Sequence, residues 1–416
     1  MRRSFRFFGF HLFGLAAVFC LSAGTSWALE NYHMVPVTLK AENVLPKTLL
    51  KGENYRVEDN VQNDGLINTY QLTTDYGPLR VESTAALMNR IMELNALNAM
   101  EEMERKHVFG EALVEGAKAP VKGAAALVTS PVDTTKGVVK GTGRFLSNVG
   151  NSIVSDDPEQ GNLLSVAVGY DTAKRNFAYE FGIDPYSDYE PTMDRLGEIA
   201  RASVGGGLVP RAAMAAIDSD VVLVMRISGT ANNMRKLVRD NPPGELRKIN
   251  KEKLEKMGIG SSLVEAFLDN YEYDPQEKTL LVGELDSMTG VKGREVFLGK
   301  ANLAVNRSVA LYNRLLAQMM AGYHAKIGPA ERIQMASGVL YLKGKDGRLV
   351  LLAPVDYVFW TKKLEDKVIA LERDLGNIPG ATGKELWISG RMDEGARAQF
   401  EKHGWKVQEN AENKLL

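Results

Sequence analysis

Gly380-Ala381-Thr382-Gly383-Lys384 is this chain's nearest approach to a phosphate loop. Such a loop needs glycines at fixed spacing and a hydroxyl after the lysine to reach magnesium. Here the first glycine falls at the wrong spacing and Glu385 replaces the hydroxyl. Gly141-Thr142-Gly143 lacks the third glycine of a dinucleotide fingerprint and follows a helical pattern, not a strand. No serine lies in a Gly-x-Ser-x-Gly elbow or a Ser-x-x-Lys pair. Asp269 to Lys278 has the outline of a calcium loop, but tyrosines fill its third and fifth positions and the sixth is not glycine.

Metal chemistry has little to draw on. Cys20 is the only cysteine, and the histidines beyond the first 28 residues are His33, His107, His324 and His403, all far apart. No metal and no cofactor are therefore expected. Met88, Met92, Met100 and Met103 recur at helical spacing and could hold Cu(I), yet they lie beside Leu87 and Ile91 on one apolar stripe, where thioethers fill gaps. His107 and His324 read as surface or boundary residues. A hydrolytic site would have to be assembled from dispersed groups such as His324, Asp184 and Arg175.

The most informative stretch is 116–154. It carries Lys118, Lys122, Lys136, Lys140 and Arg144 against Asp133 alone, among Gly, Ala, Val and Thr. Ser130-Pro131-Val132-Asp133 is a good helix start, with a capping hydroxyl, proline at the first helical position and an early acid. Lys136, Lys140 and Arg144 then form a cationic stripe, with Val138, Phe145 and Val149 toward another face. Pro120-Val121 recurs as Pro131-Val132, an eleven-residue period that keeps one helical face in register. Glycines at 137, 141, 143 and 150 suit close helix packing equally well. The stripe is expected to meet an anionic membrane surface or an envelope protein through Lys136, Lys140, Arg144 and Phe145.

Ser130 to Gly141, Ala173 to Ser187 and the closing Leu386 to Val407 resemble segments of uncharacterised exported proteins of Gram-negative bacteria. The resemblance implies the cell envelope or periplasm, and no activity.

Short strands are expected at Val35 to Leu39, Tyr55 to Val57, Thr69 to Thr74 and Leu79 to Glu82, the last two joined as a hairpin across Asp75-Tyr76-Gly77-Pro78. Ser83 or Thr84 can cap a long helix whose Leu87, Ile91, Leu94 and Leu97 recur at spacings of three and four. Further helices are predicted from Ser130 to Val149, Asp171 to Phe181, Thr192 to Ala202, Gly244 to Met257, Ser261 to Leu268, Pro275 to Asp286 and Glu295 to His324. Val221 to Ile227 suits a strand or a helix. From Ala336 the period changes again: a hairpin turning at Lys345-Asp346-Gly347, a helix Lys362 to Leu375, a strand at Leu386 to Ile388, a helix Asp393 to His403 and a strand at Trp405 to Val407.

The pattern predicts an α+β chain, a mostly helical body with short strands near the N-terminus and a small α/β C-terminal domain. Its divisions are 1–28, 29–82, 83–330 and 336–416. Residues 1–28 read as a signal peptide, with Arg2, Arg3 and Arg6 before an apolar run and a Ser26-Trp27-Ala28 cleavage site. An uncleaved anchor is the rival, and Phe19 before Cys20 argues against lipidation. Cleavage would leave 48 basic residues (51 less three arginines) against 52 acidic ones, a net charge of −4 that disfavours nucleic acid. Export as a non-catalytic binding protein is the leading expectation, an exported hydrolase the alternative.

Overall fold

The computed structural model describes residues 32–105, 158–206, 229–376 and 378–416. The predicted signal peptide, the helix from Ser130 and the segment Val221 to Ile227 lie outside them. Thirteen helices and three sheets occur among the described residues, so the chain is mixed α and β.

The N-terminal sheet comprises β1 (Val37–Lys40), β2 (Tyr55–Val57), β3 (Asn60–Asn63), β4 (Asn68–Thr74) and β5 (Gly77–Glu82). β2 and β3 lie end to end along one edge of β4 and β5 along the other, all antiparallel. A four-residue helix, α1 (Ala41–Val44), follows β1. Alternation sends Val57, Val61, Tyr70 and Leu72 inward. They meet Leu87, Ile91, Leu94 and Leu97 of α2 (Thr84–Arg105), all essentially without solvent exposure, and residues of α3 (Pro158–Phe181) and α4 (Glu190–Gly206). Ser83 caps α2, its Oγ accepting the Ala86 N–H at 3.1 Å. Met100 and Met103 are buried and Met88 and Met92 pack on the same core, so these thioethers fill space.

The helices α5 (Gly229–Asp240), α6 (Pro243–Lys256), α7 (Ser261–Asp269), α8 (Pro275–Ser287), α9 (Arg294–Ala301) and α10 (Arg307–Lys326) follow. The single helix expected from Glu295 to His324 is two. Asn306 caps the second, its side chain accepting the Val309 N–H at 2.9 Å, while Asn270 Nδ2 donates to the Asn302 and Ala304 carbonyls in the break.

The C-terminal sheet has order β6-β7-β8-β10-β12: β6 (Ala330–Ala336), β7 (Val339–Gly344), β8 (Arg348–Ala353), β10 (Gly383–Ile388) and β12 (Trp405–Gln408). Only β7 runs against the others. β9 (Tyr357–Val358) and β11 (Arg391–Met392) form a separate parallel pair. Leu340, Leu342, Val350, Leu352 and Trp387 join one core with α6 to α10 and the terminal helix α13 (Glu412–Leu415). Tyr341, Leu349, Leu386 and Ile388 face a second core with α11 (Lys362–Leu375) and α12 (Glu394–Lys402). Covering both faces explains why these strands read as near-continuous apolar runs. No described helix is long and apolar enough to cross a membrane.

Candidate binding groove

The chain between α8 and α9 runs along the outer edge of β6. Lys292 N–H donates to the Glu331 carbonyl at 3.0 Å and Ile333 N–H to the Lys292 carbonyl at 2.8 Å, a parallel bridge that adds one residue to the sheet. Gly293 then turns the chain at φ +82°, and a Cβ there would lie 2.0 Å from the Ile333 carbonyl oxygen. Only glycine permits both the left-handed turn and that approach. Gly293 is also the N-cap of α9, without a side-chain cap.

A groove of about 710 Å³ opens beside this edge, lined among others by Met257, Lys292, Arg294, Arg332, Gln334 and Met335. Lys292 and Arg332 are exposed and have no ion pair among the described residues; Arg294 makes one long bond, 3.5 Å, to the Met288 carbonyl. Glu295 is the acid in the lining, and nearby Glu331 lies 3.9 Å from Lys343. Three cations against one acid favour an anion, an attraction that salt screens. The signal in sequence is slight: Lys292 and Arg294 flank a glycine, but Arg332 is some forty positions away and only the backbone bridge brings it there.

The residues named for a hydrolytic site separate. Asp184 pairs with Asp274, which the sequence did not single out, while Arg175 is linked to that pair only through Tyr186, which has all three as charged neighbours. Asp184 Oδ1 accepts the Tyr186 N–H at 2.8 Å beyond α3, and Asp274 Oδ1 accepts the Glu277 N–H at 2.8 Å at the start of α8. The two carboxyls hydrogen-bond each other. Burial first, then the neighbouring carboxylates, pushes both up: Asp184 well above the usual range, Asp274 to about 6. One shared proton is the arrangement this favours. Arg235 lies across Gly182 with Asp184 as its anionic neighbour, and the buried Arg175 donates through Nε to the Arg239 carbonyl at 3.1 Å. These carboxyls close a turn and cap a helix.

His324 joins no such cluster: its Nδ1 accepts the Ala330 N–H at 3.1 Å, and burial and Lys345 lower its pKa. His33 meets Asp393 at 2.9 Å. His403 lies 2.6 Å from Glu372, whose carboxylate also accepts from Lys384 Nζ at 2.8 Å and Trp405 Nε1 at 3.0 Å. Among the described residues no group of three or more His, Cys, Asp or Glu could hold a metal ion. Lys136, Lys140, Arg144 and Phe145 lie outside the described residues. No family model, curated protein or solved structure matches the chain.

Proposed function

We propose that this is an exported, non-catalytic binding protein of a Gram-negative cell envelope, and that it holds an anionic partner in the groove beside β6. The observation that carries the reading is the trio Lys292, Arg294 and Arg332 around an open groove, with no carboxylate neutralising any of them among the described residues. The export step rests on the leader-like residues 1–28. On sequence grounds Lys136, Lys140, Arg144 and Phe145 supply a second cationic contact, to a membrane surface or envelope protein. In this reading the strand-rich N-terminal segment and the helical body carry a small α/β unit whose edge presents the groove.

Titration of the full chain with inorganic triphosphate at low salt tests the groove. Binding should weaken at about 0.1 M salt and above, and a Lys292→Glu, Arg332→Glu double variant should lose it. Equal binding by the double variant, or none by either protein, removes the groove from the function. A Lys136→Glu, Lys140→Glu, Arg144→Glu variant, sedimented with anionic vesicles, tests the second contact separately.

A further inference from the structure

We infer that the groove's ligand is an extended polypeptide that adds to the edge of β6, with acidic residues alternating with apolar ones. The inference rests on the anion-binding reading and specifies the partner. Ile333 turns its backbone groups outward, since its N–H reaches Lys292 outside the sheet. Alternation gives Met335 the same direction. Among the described residues nothing bonds its N–H or its C=O from outside the β6–β7 pair, where it stands opposite Leu340. Gly293 has by then turned the covering chain away into α9, so among the described residues the edge at Met335 is open, and it lines the groove.

Side-chain parity sets the ligand's pattern. Bridge partners project to the same face, so Lys292 and Arg332 stand together. Met335 has opposite parity to Arg332 and projects to the other face, half exposed at 51%. Met257 is a further apolar residue in the lining. An incoming strand therefore offers one row of side chains to Lys292 and Arg332 and the alternate row to Met335. One of its residues, lying antiparallel opposite Met335, exchanges both backbone bonds with it. Open edges of this kind attract added strands unless charge or a cover prevents it. Here the charge selects an acidic strand.

The test uses the full chain and four probes: a capped (Glu-Val)₃ hexapeptide, its isomer Glu₃Val₃, the alternating peptide N-methylated at every second residue, and phosphatidylglycerol vesicles. The alternating peptide should bind on the order of tenfold more tightly than the isomer or the N-methylated form. Lys292→Glu with Arg332→Glu should abolish that binding. Met335→Pro, which removes an outward N–H without touching a charge or the inner ladder, should weaken the peptide and leave triphosphate unchanged. Equal affinity for the three peptides overturns strand addition while the anion groove stands. Vesicle binding through Lys292 and Arg332 with no peptide bound assigns the groove to lipid and overturns the inference. Failure of every probe, triphosphate included, overturns both readings.

Discussion

Asp356 caps helix α2 from the far end of the sequence. Its Oδ1 accepts the Thr84 N–H at 3.0 Å and its Oδ2 the Asn68 N–H at 2.8 Å. Burial pushes the carboxyl's pKa up, and these bonds offset that only in part. Around it, Asn68 Nδ2 donates to Tyr70 Oη at 2.9 Å, Tyr70 Oη meets Thr84 Oγ1 at 2.7 Å, and Asn63 Nδ2 donates to the Tyr357 carbonyl at 3.1 Å. A negative charge at a helix N-terminus is favourable, and here it also ties α2 to the C-terminal strands.

Asp356→Ala leaves two backbone N–H groups without their acceptor, each costing about 1–3 kcal/mol. Denaturant unfolding should show a loss of about 3 kcal/mol or more. Asp356→Asn keeps one acceptor oxygen and should recover roughly half of it. An unchanged midpoint for the alanine variant would remove Asp356 from the account of stability.

The pair Asp184 and Asp274 predicts a pH effect. Both folded pKa values are raised, Asp274 to about 6 from an ordinary 3.8. The folded state therefore holds the proton more tightly than the unfolded state. Its stabilisation is complete below about pH 4 and is lost as pH rises through about 6. Asp274→Asn replaces the carboxyl that titrates at about 6 with a permanently neutral amide that can still accept the Glu277 N–H. Relative to that variant, the wild type should lose on the order of 1 kcal/mol between those pH values, read from urea unfolding at each. A difference that does not move with pH would show that no proton is shared.

Gly293→Ala should damage the groove's edge. The added Cβ meets the Ile333 carbonyl oxygen, and alanine disfavours φ +82°. Two penalties of about 1 kcal/mol or more each should release the Lys292 bridge. Hydrogen exchange at the Lys292 and Ile333 amides measures this. Protection equal to wild type would mean the loop tolerates the methyl group.

Glu372 gathers Lys384, His403 and Trp405. Burial alone would raise its pKa, but the bonds from Lys384 and His403 outweigh that and lower it. A depressed folded pKa gives stability that is present above the unfolded value and lost as pH falls through the folded one. Glu372→Gln should cost roughly 1 kcal/mol at neutral pH, discounted because the site is partly exposed. The loss should fade in acid, and Trp405 emission should shift to the red. No change in either measurement would leave the cluster without energetic weight.

Elements with strong apolar periodicity were legible: Leu87, Ile91, Leu94 and Leu97 predicted α2, and Lys362 to Leu375 predicted α11 with the bounds observed. β3, Asn-Val-Gln-Asn, was not, because Val61 is its one inward apolar residue, the other inward residue being the polar Asn63, and the strand exists by pairing with β1 and β4. α5 escaped because its sequence is mostly polar, with only Ala231 and Val238 buried. The break at 302–306 depends on Asn270, some thirty positions away. Asp184 and Arg175 were visible as polar residues, but Asp274 becomes Asp184's partner only when the turn after α3 meets the start of α8. The groove was unreadable for the same reason. Its cations come from two separate segments, and no local pattern encodes their meeting.

The bonds between the 63–68 turn and residues 356–359 have a consequence for timing. Gly65 O accepts the Phe359 N–H at 2.9 Å and Leu66 O the Asp356 N–H at 3.0 Å, while the Asn63 and Tyr357 bond spans 294 positions. Closing a loop of that length costs about 5 kcal/mol of chain entropy. The turn is synthesised early, yet its partners leave the ribosome only when most of the chain has been made. Until then the Gly65 and Leu66 carbonyls must bond to water, and the Asn68 and Thr84 amides wait for Asp356. The 63–68 turn of the first sheet is thus among the last parts of this protein to receive all its bonds, although the sheet's own ladder lies wholly within residues 37–82.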